Sequence, residues 1–148
     1  MKPIPTEYKQ IVFRSKSEAI FAHAMTLSGA QWEYEPGNWD GYTPDFAVFL
    51  GVRGWPEIYL NVLVEYKPSI PTDTYVQRLQ KVKIPDCYDA FFVFYGTAYD
   101  NPSAYGWIGI NFEEEREQPL SAAISLAFCD PVMDKMQEAK AYRFDLKQ

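Results

Sequence analysis

YTPDFAVFL, residues 42–50, is followed after a segment punctuated by Gly51, Gly54 and Pro56 by NVLVEYKP, residues 61–68. Both runs are rich in Val, Leu, Phe and Tyr, residue types that suit a pleated strand. The short connection between them fits an antiparallel hairpin. Yet each run carries charge near one end: Asp45 early in the first, Glu65 and Lys67 late in the second. A buried unpaired charge is costly, so something must compensate these three. Alternation puts Asp45, Ala47 and Phe49 on one face of the first strand, and Asn61, Leu63, Glu65 and Lys67 on one face of the second. A hairpin sets the start of one strand beside the end of the other, which places Asp45 across from Glu65 and Lys67. Two carboxylates held together repel and push one pKa upward unless a cation neutralises them. An octahedral, oxygen-seeking Mg²⁺ ion suits such a pair, with Lys67 reaching the same pocket.

Working outward, Ser15 or Ser17 caps a predicted helix to about Ser28, in which Ile20, Ala24 and Leu27 recur at i, i+4 and i+7 and Gly29 is the stop. Residues 32–35 alternate as a short strand before Pro36-Gly37, and strands over 42–50 and 58–67 follow. Pro68 and Pro71 end that segment; Thr72 or Asp73 opens a second helix to about Val82. Residues 90–95 read as a central strand and 107–112 as another, and the tail from Asp130, with Pro131 in its first turn, reads as a third helix. The expected fold class is therefore α/β, a mixed central sheet flanked by helices in the order α-β-β-β-α-β-β-α. At 148 residues, 47% apolar and 17% aromatic, the expectation is a single domain over residues 1–148.

The net charge of −6 argues at first sight against a nucleic-acid partner. Its distribution softens that: residues 1–83 hold nine Lys/Arg against nine Asp/Glu, and residues 84–148 hold five against eleven. The run Glu113-Glu114-Glu115-Arg116-Glu117 reads as a solvated loop or helix start. Gln77, Arg78 and Lys81 on the second helix, with Lys83 just after it, form the best local basic patch for phosphate. Cys87 and Cys129 are far apart and suggest neither a zinc site nor a disulfide framework. No run is apolar enough to span a membrane and MKPIPTEYKQ lacks the apolar core of a signal peptide, so a cytoplasmic location is expected. His23, among Ala, Phe and Met, reads as a packed or surface histidine. The aromatic-rich segment Tyr95–Trp107 reads either as an interface or as rings capping the core.

Pro44-Asp45, a gap of about twenty residues, then Glu65-Tyr66-Lys67 resembles the PD-(D/E)XK signature of the restriction-endonuclease-like nuclease superfamily. Phe13-Arg14-Ser15-Lys16-Ser17-Glu18, followed by Tyr42-Thr43-Pro44-Asp45-Phe46 and Val64-Glu65-Tyr66-Lys67-Pro68, is similar to a branch found in small phage-encoded nucleases and in the transposon-end-cleaving subunits of heteromeric transposases. The resemblance implies a restriction-endonuclease-like core, and a DNA endonuclease of phage or mobile-element type that hydrolyses phosphodiesters with Mg²⁺ or Mn²⁺. It implies catalytic roles for Glu18, Asp45, Glu65 and Lys67, with Asp45, Glu65, the Tyr66 backbone carbonyl and Glu18 as metal ligands. Glu35 resembles an acidic position bordering the site. For a phage-encoded protein the compartment would be the host cytoplasm. The middle of the triplet, commonly aliphatic in the family, is Tyr66, whose ring is expected to point away from Glu65 and Lys67 and pack under a helix with its hydroxyl near solvent. Plainer roles stand beside these: Glu18 complementing the helix dipole, Asp45 capping a turn, Glu65 and Lys67 as an exposed pair. Other functional classes are a non-catalytic interaction module that keeps the fold and a structure-specific RNA nuclease. An acidic chain with a small basic patch is expected to act as a homodimer or be recruited by a replication or recombination protein.

Overall fold

The hairpin formed by the charged runs lies at the middle of a five-stranded sheet in the computed structural model, which describes residues 3–52, 57–96, 105–112 and 120–147. The first strands, β1 (Thr6–Tyr8) and β2 (Ile11–Phe13), form a short antiparallel pair, and helix α1 (Lys16–Leu27) follows. Ser15 is the N-cap of α1, its hydroxyl accepting from Glu18 N at 3.2 Å. Beyond the helix, Gly29 takes a left-handed φ of +85° that costs glycine little. Strands β3 (Gln31–Tyr34), β4 (Phe46–Val52) and β5 (Ile58–Lys67) run antiparallel in sequence order. Helix α2 (Asp73–Gln80), capped by Thr72, carries the chain to β6 (Ala90–Tyr95), which pairs parallel with β5; β7 (Gly106–Phe112) returns antiparallel beside β6.

The sheet order is β3-β4-β5-β6-β7. The chain then forms one helical run: α3 (Leu120–Ile124), a π-helical segment (Ser125–Cys129) and α4 (Asp130–Lys140). A last strand, β8 (Asp145–Leu146), pairs with β1, so a second sheet has the order β2-β1-β8. The result is a mixed α/β fold with two sheets. Among the described residues no helix is long and apolar enough to cross a membrane.

Alternation along β4, β5 and β6 divides the core. Phe46, Val48, Leu60, Val62, Val64, Tyr66, Phe92 and Phe94 pack with Phe21, Met25, Phe128 and Met136 of α1 and the C-terminal helices. Leu63, Phe91, Val93 and Ile110 face the other way and pack with Leu79 of α2. The major sheet is thus covered on both faces, thickly by α1 and α4 and thinly by α2.

Several sequence expectations need correction. The first long strand begins at Phe46 rather than 42, so Asp45 sits at its mouth. The C-terminal helix begins ten residues before Asp130. Pro131 lacks the N–H an α-helix needs and its ring crowds the preceding turn, and there the helix widens, with Asp130 N–H reaching back to the Ser125 carbonyl. Strands β1, β2 and β8 were not anticipated. Tyr66 does stack under α1 on Phe21, at 4.7 Å between centroids, but its hydroxyl is buried and donates to the Gly96 carbonyl at 2.6 Å. Tyr105 and Trp107 are likewise turned to the core: Gln137 Nε2 donates to the Tyr105 hydroxyl at 3.2 Å, and Trp107 Nε1 donates to Ser125 Oγ at 3.1 Å. Tyr99 and the acidic run 113–117 lie outside the described residues.

Candidate functional site

Asp45, Glu65 and Glu18 are 2%, 5% and 7% exposed, the only buried carboxylates among the described residues. Three elements bring them together. Phe46 opposes Val64 in the β4–β5 ladder, so the register carries Asp45 to the level of Glu65. Here the two residues interlock through the backbone: Asp45 N–H donates to Glu65 Oε1 at 3.2 Å, and Tyr66 N–H donates to Asp45 Oδ2 at 2.8 Å. Glu18 arrives from the first turn of α1. It stands at the third helical position after the Ser15 cap, where a carboxylate usually reaches back to the helix start; here its Oε1 accepts from Arg14 N–H at 3.1 Å.

The compensating cation is Arg14. Its Nη2 donates to Glu18 Oε2 at 3.0 Å and also to Asp45 Oδ1. Two tyrosines complete the shell. The Tyr34 hydroxyl donates to Glu18 Oε1 at 3.1 Å and accepts from Arg14 Nε at 3.2 Å, and the Tyr75 hydroxyl, from α2, donates to Glu65 Oε2 at 2.7 Å. Every one of the six carboxylate oxygens therefore accepts a hydrogen bond, which is what makes their burial tolerable. Arg14, Tyr34 and Tyr75 were not in the sequence-derived site. Their only signal is position: Arg14 lies four residues before Glu18, and Tyr75 one turn into a helix whose start follows the ExK triplet.

The electrostatics follow from crowding. Burial first, then the charge of Glu65 and a hydrogen bond with it, then Glu18, push the Asp45 carboxyl up to about 9, against the opposing Tyr66 N–H. Burial opposes the charge on Arg14, but Asp45 and then Glu18 outweigh it and raise the guanidinium pKa further. Burial and then Glu18 push the Tyr34 hydroxyl up to about 12. Tyr75 and Tyr42 are raised by burial and then by Glu65. The Tyr42 hydroxyl is buried and has no hydrogen-bond partner among the described residues.

Lys67 shares the α2 face of β5 with Glu65, and its Nζ lies 4.8 Å from the centroid of the Tyr75 ring. A cleft of about 670 Å³ opens over this corner, lined by Arg14, Glu18, Asp45 and Lys67 with Ile4 and Pro68. Glu65 does not itself line it. Glu35 borders the site, its N–H donating to the Asp45 carbonyl at 2.8 Å and its Oε2 3.9 Å from Arg14 Nε. Gln77, Arg78, Lys81 and Lys83 are exposed and do not line the cleft. His23 belongs elsewhere, with Nδ1 2.8 Å from the Tyr8 hydroxyl in an aromatic cluster with Tyr142 and Phe144.

Among the described residues no group of three or more His, Cys, Asp or Glu is assembled in an arrangement able to hold a metal ion; the carboxylates are turned onto Arg14, the backbone and Tyr75. The donor chemistry nevertheless suits a hard divalent cation: buried, crowded carboxylates, one of them with a strongly raised pKa. Comparison of the chain with protein-family models, curated proteins and solved structures finds no match in any of the three.

Proposed function

We propose that the chain is a PD-(D/E)XK-type nuclease of phage or mobile-element kind, hydrolysing phosphodiester bonds in DNA with Mg²⁺ or Mn²⁺. The observation that carries this reading is the interlock of Asp45 with Glu65 and Tyr66 N–H across β4 and β5, beside Lys67 and under a cleft. A fortuitous PD…ExK match would not be expected to bury both carboxylates and tie Glu65 to the Asp45 N–H and Asp45 to the Tyr66 N–H. The order α1, β3, β4, β5, α2, β6, β7 supports the reading, since the resemblance implies an acidic residue on a helix before the sheet, then the hairpin, then a helix and further strands.

Asp45, Glu65 and Glu18, with the Tyr66 carbonyl, are the residues that would hold the ion. When bound, it supplies an acidified water and a counter-charge for the phosphorane-like transition state. The chain's own groups do the rest. Lys67 presents a compact ammonium to the cleft, suited to orienting the attacking water or stabilising the developing negative charge. Tyr75 holds Glu65 through Oε2 and places its ring under the Lys67 ammonium. Tyr66 N–H holds Asp45 Oδ2, which leaves Oδ1 as the oxygen that Arg14 engages.

The test is cleavage of supercoiled, linear, branched and single-stranded DNA, and of RNA, with Mg²⁺, Mn²⁺ or EDTA. The expected result is metal-dependent DNA cleavage that Asp45→Asn, Glu65→Gln and Lys67→Ala each abolish. Metal-independent cleavage, or full activity in Asp45→Asn, overturns the assignment; cleavage of RNA alone moves it to the ribonuclease class.

A further inference from the structure

We infer that Arg14 is a resident cation that latches the carboxylate site, and that a divalent ion binds by displacing its guanidinium outward toward Glu35. This rests on the metal-dependent reading above. The guanidinium engages Asp45 Oδ1 and Glu18 Oε2, on two residues that line the cleft, and an ion held by those two carboxylates would compete for the same oxygens. Two cations cannot share them at close range without strong repulsion.

The side chain is built to leave. Arg14 is 59% exposed although both partners are buried, so its departure opens no core. Its backbone is fixed, because Arg14 N–H is held by Glu18 Oε1 and the preceding Phe13 is fully buried. The motion is therefore one of side-chain torsions, with the Arg14 backbone staying in place. An acceptor stands on the outer side: Glu35 Oε2 is already 3.9 Å from Nε, and its carboxylate is 40% exposed. Glu35 is held with a φ of +47°, a region that branched and bulky residues rarely adopt, and its N–H is tied to the Asp45 carbonyl. That conformation keeps the Glu35 backbone against the Asp45 segment. The exchange is a charge swap: the ion takes Asp45 and Glu18, and the guanidinium takes Glu35 and becomes an exposed positive group at the rim of the cleft, where a phosphate would enter.

The test is isothermal titration of metal-free protein with MnCl₂ in 150 mM salt, using wild type, Arg14→Gln, Glu35→Gln, the double variant and Asp45→Asn. A latch that holds nine-tenths of the molecules lowers apparent affinity about tenfold, so Arg14→Gln should bind Mn²⁺ about tenfold more tightly than wild type. Glu35→Gln should weaken binding severalfold where Arg14 is present and change it less than twofold in the Arg14→Gln background. Thermal melts in EDTA and in Mn²⁺ give a second readout, with the larger metal-induced rise in Arg14→Gln; if that variant does not fold, Arg14→Lys, which keeps the charge but loses the planar fork, should still bind more tightly than wild type. Equal or weaker Mn²⁺ binding in both Arg14 variants overturns the latch while leaving the metal site standing, provided Asp45→Asn abolishes binding. Equal effects of Glu35→Gln in both backgrounds overturn the outward route. Absence of Mn²⁺ binding in every chain overturns both the latch and the nuclease reading.

Discussion

The two faces of β5 are built for different purposes. Leu60, Val62, Val64 and Tyr66 are buried against α1 and the C-terminal helices, and α1 alone contributes Ala19, Ile20, Phe21, Ala22, Ala24 and Met25 to that contact. Leu63, Glu65 and Lys67 face α2, whose only buried residue is Leu79. The thick face supplies rigidity: Tyr66, clamped between Phe21 and the Gly96 carbonyl, fixes the backbone whose N–H holds Asp45. The thin face leaves space in which charge can persist. A site needs both, since a carboxylate held on a soft strand would lose its geometry and one sealed under a thick layer would lose its access.

The largest expected effect tests that division directly. On the nuclease reading proposed above, Lys67→Ala should lower DNA cleavage about a thousandfold, roughly 4 kcal/mol of barrier, while its urea midpoint stays near that of wild type because Lys67 is half-buried at the cleft with its ammonium over the Tyr75 ring. Cleavage at the wild-type rate would break the distinction between the faces. On the thick face the result should invert in kind. Phe21→Ala should cost about 3–5 kcal/mol in equilibrium unfolding, as for other fully buried aromatic side chains. Leu79→Ala, on the thin face, should cost about 2–3 kcal/mol; a loss equal to that of Phe21→Ala would show that α2 carries as much of the core as α1.

A pH series sharpens the comparison further. With its carboxyl pushed up to about 9 in the fold against an ordinary 3.8, Asp45 binds a proton in the folded chain that the unfolded chain releases between those values. Its contribution is therefore full below about pH 4 and is lost as pH rises toward 9. The metal-free protein should lose stability as pH rises between 6 and 8, because burial and the crowding of Asp45 by Glu65 and Glu18 favour its protonated form. Asp45→Asn should flatten that slope. An increase in stability over the same range would mean that Arg14 outweighs Glu65 at Asp45.

Much of this arrangement was legible in the residues. The charges at alternate positions of an otherwise apolar run pointed to a compensated cluster, and the Ser15 cap and the proline-bounded α2 followed from local chemistry. What escaped detection is of two kinds. Strands β1, β2 and β8 are two or three residues long, too short for a period-two pattern to appear; β1 and β2 pair across the turn at Lys9-Gln10, and β8 pairs with β1 from far along the chain. Arg14, Tyr34 and Tyr75 escaped because each acts across a tertiary contact, over 31 residues from Arg14 to Asp45 and 16 from Tyr34 to Glu18. The start of the C-terminal helix was hidden by Pro131, which marks a helix start by local rules but here follows a widened turn.

The smallest effect concerns Tyr75, which ties α2 to the charged edge. Tyr75 acts through two separable parts: its hydroxyl donates to Glu65 Oε2, and its ring lies under Lys67 Nζ. Tyr75→Phe removes only the first. It leaves a buried carboxylate oxygen short of a donor, and hydrogen bonds to charged groups contribute about 1.5–3 kcal/mol. Water entering from the open side of α2 offsets part of that loss, so the expected cost is about 1 kcal/mol in urea unfolding. Tyr75→Leu removes the ring as well and frees the ammonium. If Tyr75 positions both groups, the Phe variant should lower cleavage modestly at every pH, and the Leu variant should lower it further and weaken the rate difference between Lys67 and Lys67→Ala chains. Identical rates in the Phe and Leu variants would mean that the ring does not hold Lys67, and that the thin face owes its order to β5 alone.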